Sequence, residues 1–185
     1  LGNPDKFLEG MLQHFSRLKD ENIDPESYLR WVKKHKFAEP ENSKKYREVA
    51  YTYIKYEELK TLNSLLDFSD LIFLLVKLFK KRKNILEKYR NKFKYVLVDE
   101  FQDTNIAQYE LLALLCPPDS NPKLTVVGDD SQAIYKFRGA SVSNILNFTK
   151  DYKNTHRVTL VNNYRSNQTI LDAAYRLIRN NDPDT

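Results

Sequence analysis

Three short stretches of this sequence carry the residue types that phosphate chemistry uses. The first, Asp99-Glu100-Phe101-Gln102-Asp103-Thr104-Asn105, follows the apolar run Tyr95-Val96-Leu97-Val98. A buried strand that releases two adjacent carboxylates suits a nucleotide site. One carboxylate can hold Mg²⁺, directly or through water, because Mg²⁺ prefers oxygen ligands and retains waters. The other can orient or deprotonate an attacking water. An acidic strand end at the surface has the same composition, so the pair by itself is not diagnostic. The second stretch is Gly128-Asp129-Asp130-Ser131-Gln132-Ala133-Ile134-Tyr135-Lys136-Phe137-Arg138-Gly139-Ala140. An amide such as Gln132 can bridge a water or a terminal phosphate to its surroundings. The third is Asn162-Asn163-Tyr164-Arg165-Ser166. A guanidinium at Arg165, between a strand and a helix, can neutralise charge on a transferring phosphoryl group.

These stretches need elements to hold them together. Each follows a short apolar, β-branched run: Tyr95 to Val98, Leu124 to Val127, and Val158 to Val161. Helices fit the intervals from Asn105 to Leu115, from Ser143 to Tyr152, and from Asn167 to Asn180 with Ser166 as N-cap. Buried strands alternating with helices predict a parallel sheet with right-handed crossovers. Ligands in such sheets sit at the carboxyl ends of the strands, where all three polar stretches fall.

Residues 1–95 read as helical and charge-rich. Asp24-Pro25-Glu26 predicts a helix start, with Asp24 as N-cap and Pro25 in the first turn. Ala38 to Ser43 reads as a loop, followed by a helix from Lys44 to Leu66. Its Tyr46, Val49, Tyr53, Tyr56 and Leu59 share one face. Ser69 reads as the N-cap of a helix from Asp70 to Lys83 with an apolar face of Leu71, Leu74, Leu75 and Leu78. The cations that end it, Lys80-Lys81-Arg82-Lys83, complement a helix dipole.

Composition narrows the classes. The chain has 185 residues, 41% of them hydrophobic, enough for one ordinary domain with or without a helical appendage. Its longest apolar run, Leu71 to Val76, is far short of the ~20 residues of a membrane span. A single cysteine, Cys116, allows no intrachain disulfide and fits a reducing, cytoplasmic setting. Cys116 reads as core. His14, His35 and His156 have no metal-ligand spacing to one another or to Cys116. Residues 1–95 hold 21 Lys+Arg against 14 Asp+Glu, net +7, whereas residues 96–185 hold 9 against 11, net −2. A basic half fits a polyanionic partner, as does a plain solvated helical surface.

The three stretches, in this order and on successive strands, resemble the motifs of UvrD/Rep/PcrA-type superfamily 1 DNA helicases. Val98 to Asn105 (VDEFQDTN) resembles their Walker B motif. Val127 to Ala140 resembles motif III and Asn163-Tyr164-Arg165-Ser166 motif IV. Leu66-Asp67-Phe68-Ser69-Asp70-Leu71 is similar to the segment that returns the chain from the helical 1B insertion to the RecA-like 1A core. The resemblance is close over 67–181 and weaker over 1–66. It implies a P-loop NTPase type α/β fold: an incomplete RecA-like parallel sheet over 67–185, preceded by an all-helical 1B-like subdomain over 1–66. It implies ATP and Mg²⁺ as cofactors, and 3′→5′ movement on single-stranded DNA coupled to unwinding at single/double-strand junctions, in DNA repair. Asp99 would bind Mg²⁺ and Glu100 would be the base for the hydrolytic water. Gln132 would contact the γ-phosphate, Arg165 would be the arginine finger, and Tyr164 would pack beside the adenine. Tyr135, Phe137 and Arg138 would face single-stranded DNA, where aromatics stack on any base. Lys33, Lys34, Lys36, Lys44, Lys45 and Arg47 are the candidates for phosphate contacts.

Three features depart from the pattern. Phe137 stands where many relatives have Trp, and Ser131 where a third Asp is common. No G-x-x-x-x-G-K-[ST] phosphate loop occurs in the sequence. With Leu1 in place of an initiator Met, the chain reads as an excerpt. Its partners would include the parent's Walker A region and second RecA-like domain, and the excerpt alone is expected to be inactive. Two other readings use the same residues: a non-catalytic DNA-binding module derived from a helicase, and the helicase part of an AddA- or RecB-like helicase–nuclease.

Overall fold

A computed structural model of the chain describes residues 5–132 and 142–181. Five helices precede the first strand. α1 (Asp5–Asp20) ends in a Schellman turn: Asn22 is left-handed, its amide donates to the Lys19 carbonyl, and Ile23 N donates to the Leu18 carbonyl. α2 (Pro25–Lys34) starts as expected, with the Asp24 carboxylate accepting from Ser27 N at 2.8 Å. α3 (Pro40–Leu62) starts and ends earlier than the expected Lys44–Leu66. Pro40 suits a first turn because its preset φ and missing N–H cost nothing there. The stop is a second Schellman turn, with Ser64 left-handed and Leu65 N donating to the Lys60 carbonyl at 2.9 Å.

α4 (Phe68–Lys81) is capped by Asp67 and not by the expected Ser69. Asp67 accepts from Asp70 N at 2.9 Å and Asp70 accepts from Asp67 N at 2.8 Å, a reciprocal capping box. Its buried face is also not the expected one. Asp70, Phe73, Val76 and Phe79 face inward, while Leu71, Leu74 and Leu78 are exposed. The helix is apolar nearly all round, so local spacing does not choose a face. The ionic partners of Asp70, described below, choose it. The basic run divides between the end of α4 and the start of α5 (Lys83–Lys92).

The α/β layer follows. β1 (Val96–Val98) leads through α6 (Ile106–Leu115) to β2 (Leu124–Val126), which pairs with β1 in parallel, Val96 opposite Leu124 and Val98 opposite Val126. α7 (Val142–Asp151) comes next. The expected third strand over 158–161 is not formed: the segment is unpaired, and Val158, Leu160 and Val161 are exposed. β propensity is realised only against a neighbouring strand, and among the described residues none pairs with this run. α8 (Gln168–Ile178) is capped by Asn167, whose side-chain Oδ1 accepts from Ile170 N at 3.1 Å, and not by the expected Ser166. It buries none of its residues.

Among the described residues two apolar clusters form. Phe15 and Leu18 of α1, Tyr28 and Val32 of α2, and Ala50 and Tyr53 of α3 make the first, with the Phe15 and Tyr53 rings stacked at 4.7 Å. From the expected α3 stripe, Tyr53 is fully buried, and Val49 and Tyr56 pack against the cluster. Tyr46 and Leu59 stay at the surface. Phe101, Leu112, Cys116, Phe148 and Tyr152 make the second, against β1 and β2. Cys116 is core as expected, and Tyr152 Oη donates to its carbonyl at 2.8 Å. Among the described residues no helix is long and apolar enough to cross a membrane.

Candidate nucleotide site at the strand ends

The two parallel strands release their loops side by side. Beyond the ladder, Val127 N donates to the Val98 carbonyl at 2.8 Å and Phe101 N donates back to the Val127 carbonyl at 2.9 Å. Phe101 is completely buried and meets Phe148 edge-on at 5.3 Å. That anchor forces the two residues before it to turn outward. Glu100 takes up the turn in the left-handed region, at φ 49° and ψ 43°. A residue with a Cβ pays roughly 1–2 kcal/mol there. Asp99 and Glu100 are therefore exposed at the lip of the sheet.

Their carboxylates are partly committed. Asp99 Oδ1 accepts from Glu100 N at 2.9 Å, and its second oxygen is free among the described residues. A free, exposed carboxylate oxygen at a strand end fits the hard oxygen-donor chemistry of Mg²⁺. Glu100 Oε2 accepts from Gln102 Nε2 at 2.6 Å. Gln102 Oε1 in turn accepts from Asp129 N at 3.0 Å. Asp129 closes the second loop on itself: Oδ1 accepts from Ser131 N at 3.0 Å and Oδ2 from Gln132 Nε2 at 2.7 Å. A chain of hydrogen bonds, passing through the backbone amide of Asp129, thus joins Glu100 to Gln132. Beside it lies a cleft of about 400 Å³ walled by Leu111, Leu112 and Leu115 and edged by Asp99, Glu100 and Asp103. One Asp103 oxygen is buried without a hydrogen-bond partner among the described residues, an acceptor open to a donor from a ligand or a neighbouring segment.

Of the expected site residues, Asp99, Glu100 and Gln132 are brought together. Tyr164 and Arg165 are exposed, Tyr164 at 93%. Their loop is an Asx turn in which Asn163 Oδ1 accepts from both Arg165 N and Ser166 N at 2.9 Å. Among the described residues no hydrogen bond, ion pair or ring contact ties Tyr164 or Arg165 to the other two loops. Tyr135, Phe137 and Arg138 lie outside the described residues. Sequence reasoning missed Gln102 and Asp129 as members of the site. A glutamine between acidic residues in a turn carries no periodic signal that it is buried.

A second polar constellation joins the helical layers. The ammonium of Lys19, wholly buried, lies 2.7 Å from Asp67, 2.6 Å from Asp70 and 2.8 Å from Glu57. Lys60 reaches the same three carboxylates, Asp67 at 2.8 Å, Asp70 at 2.5 Å and Glu57 at 2.9 Å. Glu57, Asp67 and Asp70 are spaced closely enough to hold a metal ion, but the two ammonium groups occupy that role. Burial alone would raise the Asp67 carboxyl. Hydrogen bonds from Lys19 and Lys60 outweigh it and hold Asp67 well below the usual carboxylate range. Burial works against the Lys60 cation, yet its bonds to Asp67 and Asp70 prevail and raise it above an ordinary lysine. Nearby, burial together with the charges of Asp67 and Glu21 pushes Asp20 up to about 6.

The basic half presents a third feature, an aromatic ladder between α2 and α3. Trp31 stacks on His35 at 4.6 Å, His35 meets Phe37 at 4.6 Å, and Phe37 stacks on Tyr46 at 5.0 Å. Trp31 is 48% exposed. Lys33, Lys34, Lys36, Lys44, Lys45 and Arg47 lie on the surface of these two helices and the loop between them, and none has an ion-pair partner among the described residues.

A parallel strand pair whose loops carry DEFQDTN and GDDSQ, behind a helical, basic layer, defines a class. The chain belongs to the UvrD/REP helicase N-terminal domain family, which matches residues 3–153. It is 42% identical over 177 residues to an ATP-dependent DNA helicase PcrA of Staphylococcus aureus (strain Mu50 / ATCC 700699), covering 89% of this chain and 24% of that protein. Its identity to the ATP-dependent DNA helicase PcrA of Bacillus subtilis (strain 168) is 41% over 182 residues, 94% of this chain and 24% of that protein. With the protein of the same description from Leuconostoc citreum it is 51% over 134 residues, 72% and 18%. The chain thus spans about a quarter, or less, of the length of these relatives.

Proposed function

We propose that this chain is part of an ATP-dependent 3′→5′ DNA helicase of DNA repair, residues 1–66 forming a helical 1B-like subdomain and residues 67–185 the later part of a RecA-like 1A core. The observation that carries this reading is the hydrogen-bonded adjacency of the Asp99-Glu100 turn and the Asp129–Gln132 turn at the ends of paired parallel strands. Asp99 would hold Mg²⁺, which supplies charge neutralisation on the phosphates when bound. Glu100 takes the proton of the attacking water as its oxygen bonds to the γ-phosphorus and the bond to the β-phosphate oxygen breaks. Gln132 contacts the terminal phosphate. Arg165 balances charge on the transferring group, and Tyr164 packs beside the base. Tyr135, Phe137 and Arg138 meet single-stranded DNA, and the Lys-rich α2–α3 surface holds backbone phosphates at the junction.

The chain's sequence has no phosphate loop, so the backbone cradle and the lysine for the β- and γ-phosphates are not among its residues, whereas candidates for Mg²⁺, the water and the terminal phosphate are. By itself the chain is expected to turn over no ATP; the full-length protein is expected to work in the cytoplasm. The test is single-stranded-DNA-stimulated ATPase of the full-length protein carrying Glu100→Gln. Turnover should vanish while nucleotide binding is retained. Undiminished turnover would remove Glu100 from its role and with it this reading of the site.

A further inference from the structure

We propose that Gln102 is a positioning residue that fixes the Glu100 carboxylate and ties it to the loop carrying Gln132. The inference rests on the reading of Glu100 as the base. Gln102 is 1% exposed although it lies two residues beyond an exposed turn. Both ends of its amide are used: Nε2 donates to Glu100 Oε2 at 2.6 Å and Oε1 accepts from Asp129 N at 3.0 Å. Asp129 in turn accepts from Gln132 Nε2 at 2.7 Å.

An amide is the side chain that meets both demands. It donates to a carboxylate on one side and accepts from a backbone N–H on the other, without adding charge beside Glu100. Donation to the ionised carboxylate restricts its rotamers, so the base is oriented before substrate arrives. The second bond makes that orientation depend on where the Asp129 backbone lies. A shift of the second loop, the one that carries Gln132, is therefore transmitted to the carboxylate through two hydrogen bonds. Phe101, buried beneath, anchors the first loop in the core.

The full-length protein is compared as wild type, Gln102→Met, Gln102→Glu, Gln132→Ala and the Gln102→Met/Gln132→Ala double variant, by single-stranded-DNA-stimulated ATPase and nucleotide binding. Methionine keeps the length of the side chain and removes both bonds. Glutamate keeps the acceptor for Asp129 N and loses the donor to Glu100. Both Gln102 variants should lose about tenfold or more in kcat, with KM for ATP within about twofold. In the double variant the loss in kcat should be smaller than the product of the two single losses, because part of each loss is the same relay. Wild-type kcat in Gln102→Met, a loss carried by KM, or multiplying effects in the double variant would overturn the proposal. Should Gln102→Met fail to fold, Gln102→Glu decides by the same kcat and KM criterion. Inactive Glu100→Gln beside fully active Gln102 variants would sink this inference alone, whereas active Glu100→Gln would remove its foundation too.

Discussion

The carbonyl oxygen of the Gln102 side chain accepts a hydrogen bond from the backbone amide of Asp129 at 3.0 Å, across 27 residues of chain. The bond exists because β1 and β2 are parallel neighbours and leave the sheet at the same level. It makes the two acidic turns one unit, and Glu100 sits at its edge in a left-handed conformation. The consequences reach from stability to nucleic-acid binding.

Glu100 separates strain from chemistry. Glycine at this position removes the Cβ penalty of the left-handed turn but adds chain entropy to the unfolded state, and the two offset. Glu100→Gly should therefore shift unfolding stability by less than about 1 kcal/mol while ATP turnover of the full-length protein is lost. Urea denaturation alongside an ATPase assay checks both; a large destabilisation would show that the carboxylate holds the turn together.

Lys19 should be among the least replaceable side chains. Its removal leaves three carboxylates facing Lys60 alone in a buried site, and breaking a buried pair costs roughly 3–5 kcal/mol. Lys19→Met should lower the urea midpoint accordingly. Replacing the surface pair Lys55–Glu58 should change it little.

The same cluster sets an acid limit. Asp67 has a folded pKa below its unfolded value, so its contribution is complete above about pH 4 and is lost as pH falls further. Asp20 acts in the opposite sense. With its pKa raised to about 6 in the folded protein, it disfavours folding progressively as pH rises from about 4 to 6. Asp20→Asn keeps an acceptor for Asn105 Nδ2, 2.9 Å away in the wild type. It should stabilise the protein by about 1 kcal/mol at pH 7 and hardly at all at pH 4. Thermal unfolding at the two pH values tests the sign.

The α2–α3 ladder and its lysines should act in separable ways. Neutralising Lys33, Lys34 and Lys36 should weaken DNA binding and flatten the log affinity against log salt slope by roughly 0.7–0.9 for each phosphate left without its cation. Trp31→Ala should cost about 1–3 kcal/mol in single-strand binding if a base stacks there, with an unchanged salt slope. Fluorescence anisotropy across a salt series distinguishes the two; an unchanged affinity in both variants would leave this face a solvated helix surface.

Where the chemistry is local, the amino-acid sequence by itself determined the outcome. Asp24-Pro25 starts α2 because cap and proline act on their own first turn. The runs at 96–98 and 124–126 form strands that end one residue before Asp99 and three before Asp129, and the motif residues then fall just beyond the tips. Tertiary structure decided what depends on distant partners. Asp70, and not the leucine stripe, orients α4 because Lys19, 51 residues away, meets it in the interior. The apolar run 158–161 is no strand because a strand requires a neighbour, which no local pattern supplies. Gln102 looks like a solvated turn residue until β2 brings Asp129 within reach. Hydrogen bonds and buried charges are selected by what approaches across the fold, and that approach is not encoded within any one segment.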